Sequence, residues 1–207
     1  VHDIGAVPVI ADCTDSYTLD PDSIEPLITS RTSAIMPTQL NGRVADMSRI
    51  NDIATSFGLS IIEDSCQALG ATYKSTHAGL FGAVGSFSFY PAKTLGCFGD
   101  GGAVITNSPE HADLIQRLRN HGRDSTGRVT NWGFNARLDN IQAAFLDIKL
   151  RHLDQSIAHR RNLASIYHAN LSSCPYIKLP PAPSDTSDYF DTFQNFEVQV
   201  ERRDALR

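Results

Sequence analysis

Asp64 and Lys93 are the side chains whose types and positions could do chemistry together. Asp64 ends the apolar stretch Ser60 to Glu63, and Lys93 comes shortly after a second apolar stretch, Gly85 to Tyr90. In a parallel α/β sheet, ligands bind beyond the carboxyl ends of the strands. We therefore expect a buried acid and a buried amine at one edge of a sheet. Such a pair suits a cofactor that needs an anion at one end and an amine at the other.

Each of these features is weak evidence when taken alone. A strand-end aspartate more often caps a helix or a turn, and a single lysine is usually a solvated surface group. The glycines after Lys93 would let the backbone approach a ligand closely, but a tight hairpin between two strands explains them as well. These glycines are Gly96, Gly99, Gly101 and Gly102. The combination favours a functional site, because a surface lysine has no special reason to lie between two apolar strands.

The elements that must position these residues predict a largely parallel sheet covered by helices. Strands and helices alternate along the first third of the chain, an order typical of α/β proteins. The predicted strands are Ala6 to Ala11, Ser33 to Pro37 and Ser60 to Glu63, and the predicted helices run from Asp20-Pro21 to Ile28 and from Asp46 to Phe57. Gly58 suits the position after the second helix.

The rest of the chain continues this pattern and then changes character. The further predicted elements are strands at Gly85 to Tyr90 and Gly102 to Thr106, a helix from Pro109 to Asn120, and a long helix from Leu138 to Leu171 with a bend near Leu153. Residues 176–188 are rich in proline and serine and predict a linker. The stretch FQNFEVQV predicts a strand and ERRDALR the first turns of a helix. Because elements start and stop abruptly at both ends, we expect an incomplete chain.

Composition limits the class of protein and its partners. The net charge of −5 provides no broad basic surface, so we do not expect a nucleic-acid partner. No apolar run approaches the ~20 residues that cross a bilayer, and the first residues do not resemble a signal peptide. The four cysteines lie far apart, which indicates free thiols in a reducing cytoplasm. The seven histidines show no paired metal spacing, so we expect no metal site.

The stretch around Lys93 also resembles a known family. EDSCQALGATYKSTHAGLFGAVGSFSFYPAKTLGCFGDGGAVITN is similar to the DegT/DnrJ/EryC1/StrS family of pyridoxal 5′-phosphate (PLP)-dependent nucleotide-sugar aminotransferases. The resemblance continues through GAVPVIADC and ADMSRINDIA upstream and through RLRNHGR and GFNARLDNIQAAFLDIKL downstream. It implies the α/β fold of the fold-type-I PLP-dependent transferases. In that fold, residues 1–152 form a PLP-binding large domain with a mostly parallel sheet between helices, 153–175 a long connecting helix, and 176–207 the beginning of a small C-terminal α/β domain.

The resemblance also implies roles for the site residues. Lys93 matches the lysine that holds PLP as a Schiff base and then moves a proton, and Asp64 matches the carboxylate that faces the pyridine nitrogen. Ser88 matches the hydroxyl that binds the cofactor phosphate, and Gln67 a residue that hydrogen-bonds near the ring hydroxyl. Cys66 stands where the family usually has alanine under the ring, and a small thiol is compatible with that place.

Two further positions bear on the partner and the substrate. Asn135 matches an asparagine that reaches the phosphate of the neighbouring subunit's PLP, which implies a homodimer with an active site shared across the interface. The alternative is that Asn135 only shapes the turn before the long helix. Gln39 stands where the family commonly has a histidine near the substrate, and this departure leaves the identity of the substrate open.

The resemblance implies transfer of an amino group from an amino acid, usually glutamate, to a keto carbon of a nucleotide-linked deoxysugar. One alternative is a PLP-dependent sugar dehydratase of the same family, but those relatives have histidine in place of Lys93. Another alternative is a non-catalytic or truncated homologue kept for dimerisation, against which the intact Asp64, Ser88 and Lys93 speak. A generic Rossmann-type nucleotide binder is disfavoured because the chain lacks G-x-G-x-x-G between a first strand and helix.

Overall fold

The computed structural model describes residues 1–206. The strands are β1 (Ala34–Ile35), β2 (Ser60–Asp64), β3 (Thr72–Tyr73), β4 (Thr76–His77), β5 (Val84–Ser88), β6 (Gly102–Ile105), β7 (Ile177–Lys178), β8 (Tyr189–Phe190) and β9 (Gln199–Val200). The α-helices are α1 (Met47–Phe57), α2 (Pro109–Leu118), α3 (Asn140–Leu150), α4 (Leu153–Leu171) and α5 (Arg203–Leu206).

The main sheet has the strand order β1-β2-β5-β6. β1 and β5 both pair with β2 in parallel, and β6 pairs with β5 antiparallel. Asp64 lies opposite Ser86 in the β2–β5 register, and Ser88 lies opposite Gly102 in the β5–β6 register. The prediction of a mostly parallel sheet is therefore confirmed, and the carboxyl ends of β2 and β5 lie side by side.

Helix α1 forms where its capping residues and apolar spacing predict it. The Asp46 side chain accepts a hydrogen bond from the Arg49 amide at 3.2 Å, which satisfies a free N–H at the helix start. Gly58 ends the helix in the left-handed conformation, with φ of 64°. The helix buries one face against the core under the sheet, through Met47, Ile50, Ile53 and Ala54.

Two of the predicted elements near the start of the chain are wrong. The stretch Ala6 to Ala11 is irregular and mostly exposed, because no strand of residues 1–206 lies beside it to complete its hydrogen bonds. The predicted helix from Asp20 to Ile28 is two 3-10 turns, Pro21–Ser23 and Glu25–Leu27. Pro26 has no N–H and its ring obstructs the carbonyl one turn earlier, which interrupts an α-helix at this point. The Asp20 cap itself is confirmed by its 3.0 Å bond from the Asp22 amide.

The second half of the chain follows the prediction with one correction. The long helix divides into α3 and α4 next to the predicted bend, and the ends of β5, β6 and α2 lie within two residues of their predicted ends. Only residues 199–200 of the predicted strand FQNFEVQV pair as a strand. The preceding residues cross to the main sheet and contact the loops at its carboxyl edge. Helix α5 begins as expected, while the last residue of the chain lies outside the described range.

Candidate active site

Asp64 lies at the carboxyl end of β2, in the position that the sequence predicts. Its amide donates to the Pro37 carbonyl at 3.0 Å, and its carbonyl accepts from the Gln39 amide at 2.8 Å, so strand pairing fixes its backbone. The side chain accepts a 3.2 Å bond from the Cys66 amide, which turns the chain sharply after the strand. The carboxylate is half-buried rather than fully buried, because the strand end opens toward the surface.

Cys66 connects Asp64 electrostatically with Lys93. Its thiol lies 3.8 Å from the Ser86 hydroxyl. Burial raises the pKa of the Cys66 thiol, and the hydrogen bond and negative charge of Asp64 raise it further, whereas the positive charge of Lys93 acts in the opposite direction. Asp64 and Lys93 therefore act on the same thiol, from the carboxyl end of β2 and from the loop after the neighbouring β5.

Lys93 lies in the loop after β5, and Ser88 is the last residue of that strand. The Ser88 hydroxyl accepts a 3.2 Å bond from the Tyr90 amide, and the Lys93 amide donates to the Tyr90 carbonyl at 2.9 Å. These bonds form a tight turn that carries both side chains. The expectation of a buried lysine is wrong, because Lys93 is half-buried in the part of the chain that the structure describes. The turn that carries it projects beyond the end of β5.

Gln67 is held by Asn41 and Asn195 at the same edge. Its Oε1 accepts the backbone N–H of Asn41 at 2.9 Å, and the side-chain amide of Asn195 approaches the same oxygen at 3.5 Å. Asn195 also donates to the Asn41 side chain at 3.0 Å. Because the Gln67 oxygen is occupied, its Nε2 donor is the atom suited to bind a ligand oxygen.

Asn135 lies in the segment before α3, away from this group. An isolated bridge pairs its backbone with Asn120, and its side-chain oxygen accepts a 2.8 Å bond from Arg137. It is exposed, and within residues 1–206 it makes no hydrogen bond to the other predicted site residues. This geometry agrees with the turn-shaping alternative for one subunit and leaves its predicted role toward a second subunit a prediction.

Glu63 is a structural residue beside the site that the sequence analysis missed. It is fully buried next to Asp64 on β2, and its carboxylate accepts four hydrogen bonds. The donors are Gln39 Nε2 at 2.9 Å and the amides of Gly79, Phe81 and Gly82 at 2.8, 2.6 and 2.9 Å. A buried carboxylate is tolerated when its oxygens are saturated in this way. The signal in the sequence was a second acid inside an otherwise apolar strand.

Gln39, which stands where the family commonly has a histidine near the substrate, is fully buried in this structure. Its Oε1 accepts the Ala45 amide at 2.7 Å, and its Nε2 donates to Glu63 at 2.9 Å. Gln39 therefore helps to hold β2.

Gln194, near the end of the described chain, is a second residue that the sequence analysis missed. Its side chain contacts the residues on both sides of Lys93. No local pattern could have revealed a contact across about half of the chain.

The fold and the site define a protein of the α/β class whose neighbouring strands present a carboxylate and a lysine at one edge of a mostly parallel sheet. The chain belongs to the DegT/DnrJ/EryC1/StrS aminotransferase family, which matches it over residues 1–207.

Curated relatives and a solved structure agree with this assignment. The chain is 45% identical, over 98% of its length, to dTDP-3-amino-3,4,6-trideoxy-alpha-D-glucose transaminase of Streptomyces venezuelae. It is 36% identical, over 99% of its length, to UDP-2-acetamido-2-deoxy-3-oxo-D-glucuronate aminotransferase of Pseudomonas aeruginosa. Its fold matches the crystal structure of S. venezuelae DesV in complex with a ketimine intermediate with a TM-score of 0.93 and 43% identity, covering all of this chain and 55% of that chain. The chain spans about half the length of the curated relatives, 53% and 56%.

The residues at this edge fit PLP in their chemistry. A carboxylate suits a protonated ring nitrogen, an amine suits an aldehyde, and a strand-end hydroxyl suits a phosphate oxygen. Asp64 and Ser88 supply two of these groups from adjacent strands, and Lys93 supplies the amine from the loop after β5. Within residues 1–206, the structure has no cluster of three or more metal-ligating side chains and no helix long and apolar enough to cross a membrane.

Proposed function

We propose that the whole protein is a PLP-dependent aminotransferase that moves an amino group from an amino acid, glutamate in the first instance, to a keto carbon of a nucleotide-linked deoxysugar. One observation carries the proposal: the neighbouring parallel strands β2 and β5 end in Asp64 and Ser88, and the loop that follows β5 carries Lys93. The names of the two relatives, both nucleotide-sugar transaminases, support the substrate class.

Each site residue then has a defined task. PLP supplies an aldehyde and an electron-withdrawing ring when it is bound. The Asp64 carboxylate would favour a proton on the ring nitrogen by its negative charge. The Lys93 amine would hold the cofactor through its aldehyde group and would move a proton at the substrate carbon. The Ser88 hydroxyl and the Gln67 Nε2 would donate hydrogen bonds to the phosphate and the ring hydroxyl.

Cys66 contributes as a neutral, compact group. Because its thiol pKa is raised, the thiol stays protonated at neutral pH and does not compete with the amine of Lys93 for the aldehyde. Its position beside the carboxylate suits a contact with one face of the ring. This role replaces the apolar contact that alanine provides in the family.

The proposal includes a homodimer in which the partner completes the site. Asn135 is exposed in a segment that presents large apolar side chains, with Trp132 98% and Phe134 70% exposed. An exposed apolar surface of this kind is typical of a protein interface. The four cysteines are free thiols, which supports a reducing cytoplasmic location.

The first experiment tests the cofactor and the lysine. We expect purified protein incubated with PLP and reduced with borohydride to carry the pyridoxyl mass on the peptide that contains Lys93. The Lys93→Ala variant should lose this label, whereas Lys74→Ala, which removes an exposed lysine, should keep it. A wild-type protein that carries no label at Lys93 would refute the proposal.

The second experiment tests the reaction. We expect the whole protein, given glutamate and a panel of nucleotide-linked keto-sugars, to yield an amino sugar whose nitrogen comes from 15N-labelled glutamate. A product that lacks oxygen but gains no nitrogen would instead identify a dehydratase. Turnover of no sugar, with the Lys93 label intact, would contradict the proposed substrate class while leaving the cofactor assignment in place.

A further inference from the structure

Gln194 bridges the two residues that flank Lys93. Its Oε1 accepts hydrogen bonds from the Thr94 amide at 2.7 Å and the Thr94 hydroxyl at 2.8 Å. Its Nε2 donates to the Ala92 carbonyl at 3.0 Å. A single side-chain amide therefore contacts the peptide units on both sides of the lysine.

The backbone of Gln194 is itself held in place. Arg160, on α4, donates from one guanidinium nitrogen to the carbonyls of Phe193 and Gln194 at 3.2 and 3.1 Å. Phe193 is buried, with 6% of its surface exposed. The bridge to the Lys93 loop is therefore anchored in a packed helix and a buried aromatic ring, and does not depend on a free surface side chain.

These bonds hold the backbone from which the Lys93 side chain extends. The Lys93 amide already bonds to the Tyr90 carbonyl, and Gln194 fixes the peptide units before and after the lysine. With the backbone fixed, the only freedom left to the amine is that of its own side-chain torsions. A lysine has many rotamers, so a fixed backbone restricts the volume in which the amine moves.

We propose that Gln194 is a positioning residue for Lys93, acting through the loop backbone and not by contact with the reacting atoms. The inference rests on the proposed function, because that function gives the Lys93 amine its task. It also connects the amine to a segment about a hundred residues further along the chain. Asp64, held by strand pairing, has no such dependence.

Hydrogen exchange measures the bridge without the cofactor. In cofactor-free protein, Gln194→Ala should speed exchange of the Thr94 amide at least about fivefold, the effect of one lost hydrogen bond of ordinary net strength. Gln194→Glu keeps an acceptor for Thr94, so exchange of the Thr94 amide should stay within about twofold of wild type.

The matched control Gln142→Ala should speed exchange only at Phe98, whose amide donates to the Gln142 side chain at 2.8 Å. Exchange at Ile50 in α1 should stay constant in all three variants, which verifies the fold. Unchanged exchange at Thr94 in Gln194→Ala overturns the proposal.

A labelling rate then measures the effect on the amine. With limiting PLP and borohydride, Gln194→Ala should label Lys93 at least about fivefold more slowly relative to the exposed Lys74, and Gln194→Glu should recover part of the rate. Faster Thr94 exchange with an unchanged Lys93 rate overturns the positioning role while the proposed function stands. Absence of the label at Lys93 in the wild-type protein refutes the proposed function. It also refutes the positioning of that amine toward PLP, whatever the hydrogen-exchange rates are.

Discussion

Replacement of Glu63 by glutamine tests how the strand that carries Asp64 is held. One carboxylate oxygen of Glu63 accepts from Gln39 Nε2 and the Gly79 amide, and the other accepts from the amides of Phe81 and Gly82. A glutamine keeps one acceptor oxygen and places an NH₂ group where the other oxygen was. In either orientation of the new amide, two buried donors then face a donor.

The magnitude follows from these bonds. A hydrogen bond to a charged group contributes about 1.5–3 kcal/mol, so two lost bonds remove roughly 3–6 kcal/mol. Neutralising a buried carboxylate returns part of its desolvation cost. We therefore expect Glu63→Gln to lower the free energy of unfolding by about 2–4 kcal/mol, a large change for one isosteric substitution.

A double-mutant cycle in urea unfolding separates this contact from general disruption. Gln39→Glu alone should also destabilise, because it sets a second carboxylate against that of Glu63. The double variant, Gln39→Glu with Glu63→Gln, again places an amide donor, now at position 63, opposite a carboxylate acceptor, now at position 39. We expect it to be more stable than the sum of the single effects by at least about 1.5 kcal/mol.

Two results would refute this reasoning. The first is a loss below about 1 kcal/mol in Glu63→Gln, which would mean that the four bonds are not made to a charged acceptor in solution. The second is additivity of the two substitutions, which would mean that the side chains at positions 39 and 63 do not contact each other. Because Asp64 follows Glu63 directly on β2, loss of the Glu63 bonds should also make the position of the Asp64 carboxylate more variable.

Two further predictions concern the thiol and the loop that receives residues 191–197. Besides burial, the negative charge of Asp64 raises the pKa of the Cys66 thiol, and Asp64→Asn removes that charge. Iodoacetamide at pH 8 should therefore alkylate Cys66 at least about threefold faster in this variant, with the other three cysteines as internal references. An unchanged rate would mean that the acid lies too far from the thiol to affect it. Gly42→Ala should lower the free energy of unfolding by at least about 2 kcal/mol, because Gly42 has φ of 87° and a Cβ would lie 2.6 Å from Thr192 Oγ1. Gly58→Ala, where φ is also positive but the space is open, should cost less in the same urea experiment, and equal losses would show that the close approach to Thr192 is unimportant.

Elements whose signals are local were predictable from the sequence. Helix α1 has its cap at Asp46, its apolar face and its terminal Gly58 within one short stretch, and all three act as predicted. The strand pair that ends in Asp64 and Ser88 was predictable because each strand is a short stretch with apolar residues, bounded by glycine, serine or proline. The stretch Ala6 to Ala11 has a similar pattern, but within residues 1–206 no strand pairs with it. A strand forms only where a neighbouring strand completes its hydrogen bonds and side-chain contacts.

Contacts between distant residues could not be predicted in the same way. Gln39 resembles a substrate residue by position, yet its side chain faces Glu63, and only the packing of two strands reveals this contact. Gln194 lies in a stretch whose alternation predicts a strand. In the structure it is not part of a strand, and its side-chain amide bonds to the backbone on both sides of Lys93. A residue type and its neighbours in sequence do not specify such partners, because the fold brings them together.

The two principal site residues therefore depend on different parts of the molecule. Asp64 is fixed by pairing with β5 and with residues 37–39, which follow β1, and by the buried Glu63 beside it. Lys93 lies in a loop whose backbone is held from outside the sheet by Gln194. A perturbation of the segment that carries Gln194 should consequently move the amine and leave the acid in place, because the strand bonds of Asp64 do not include that segment.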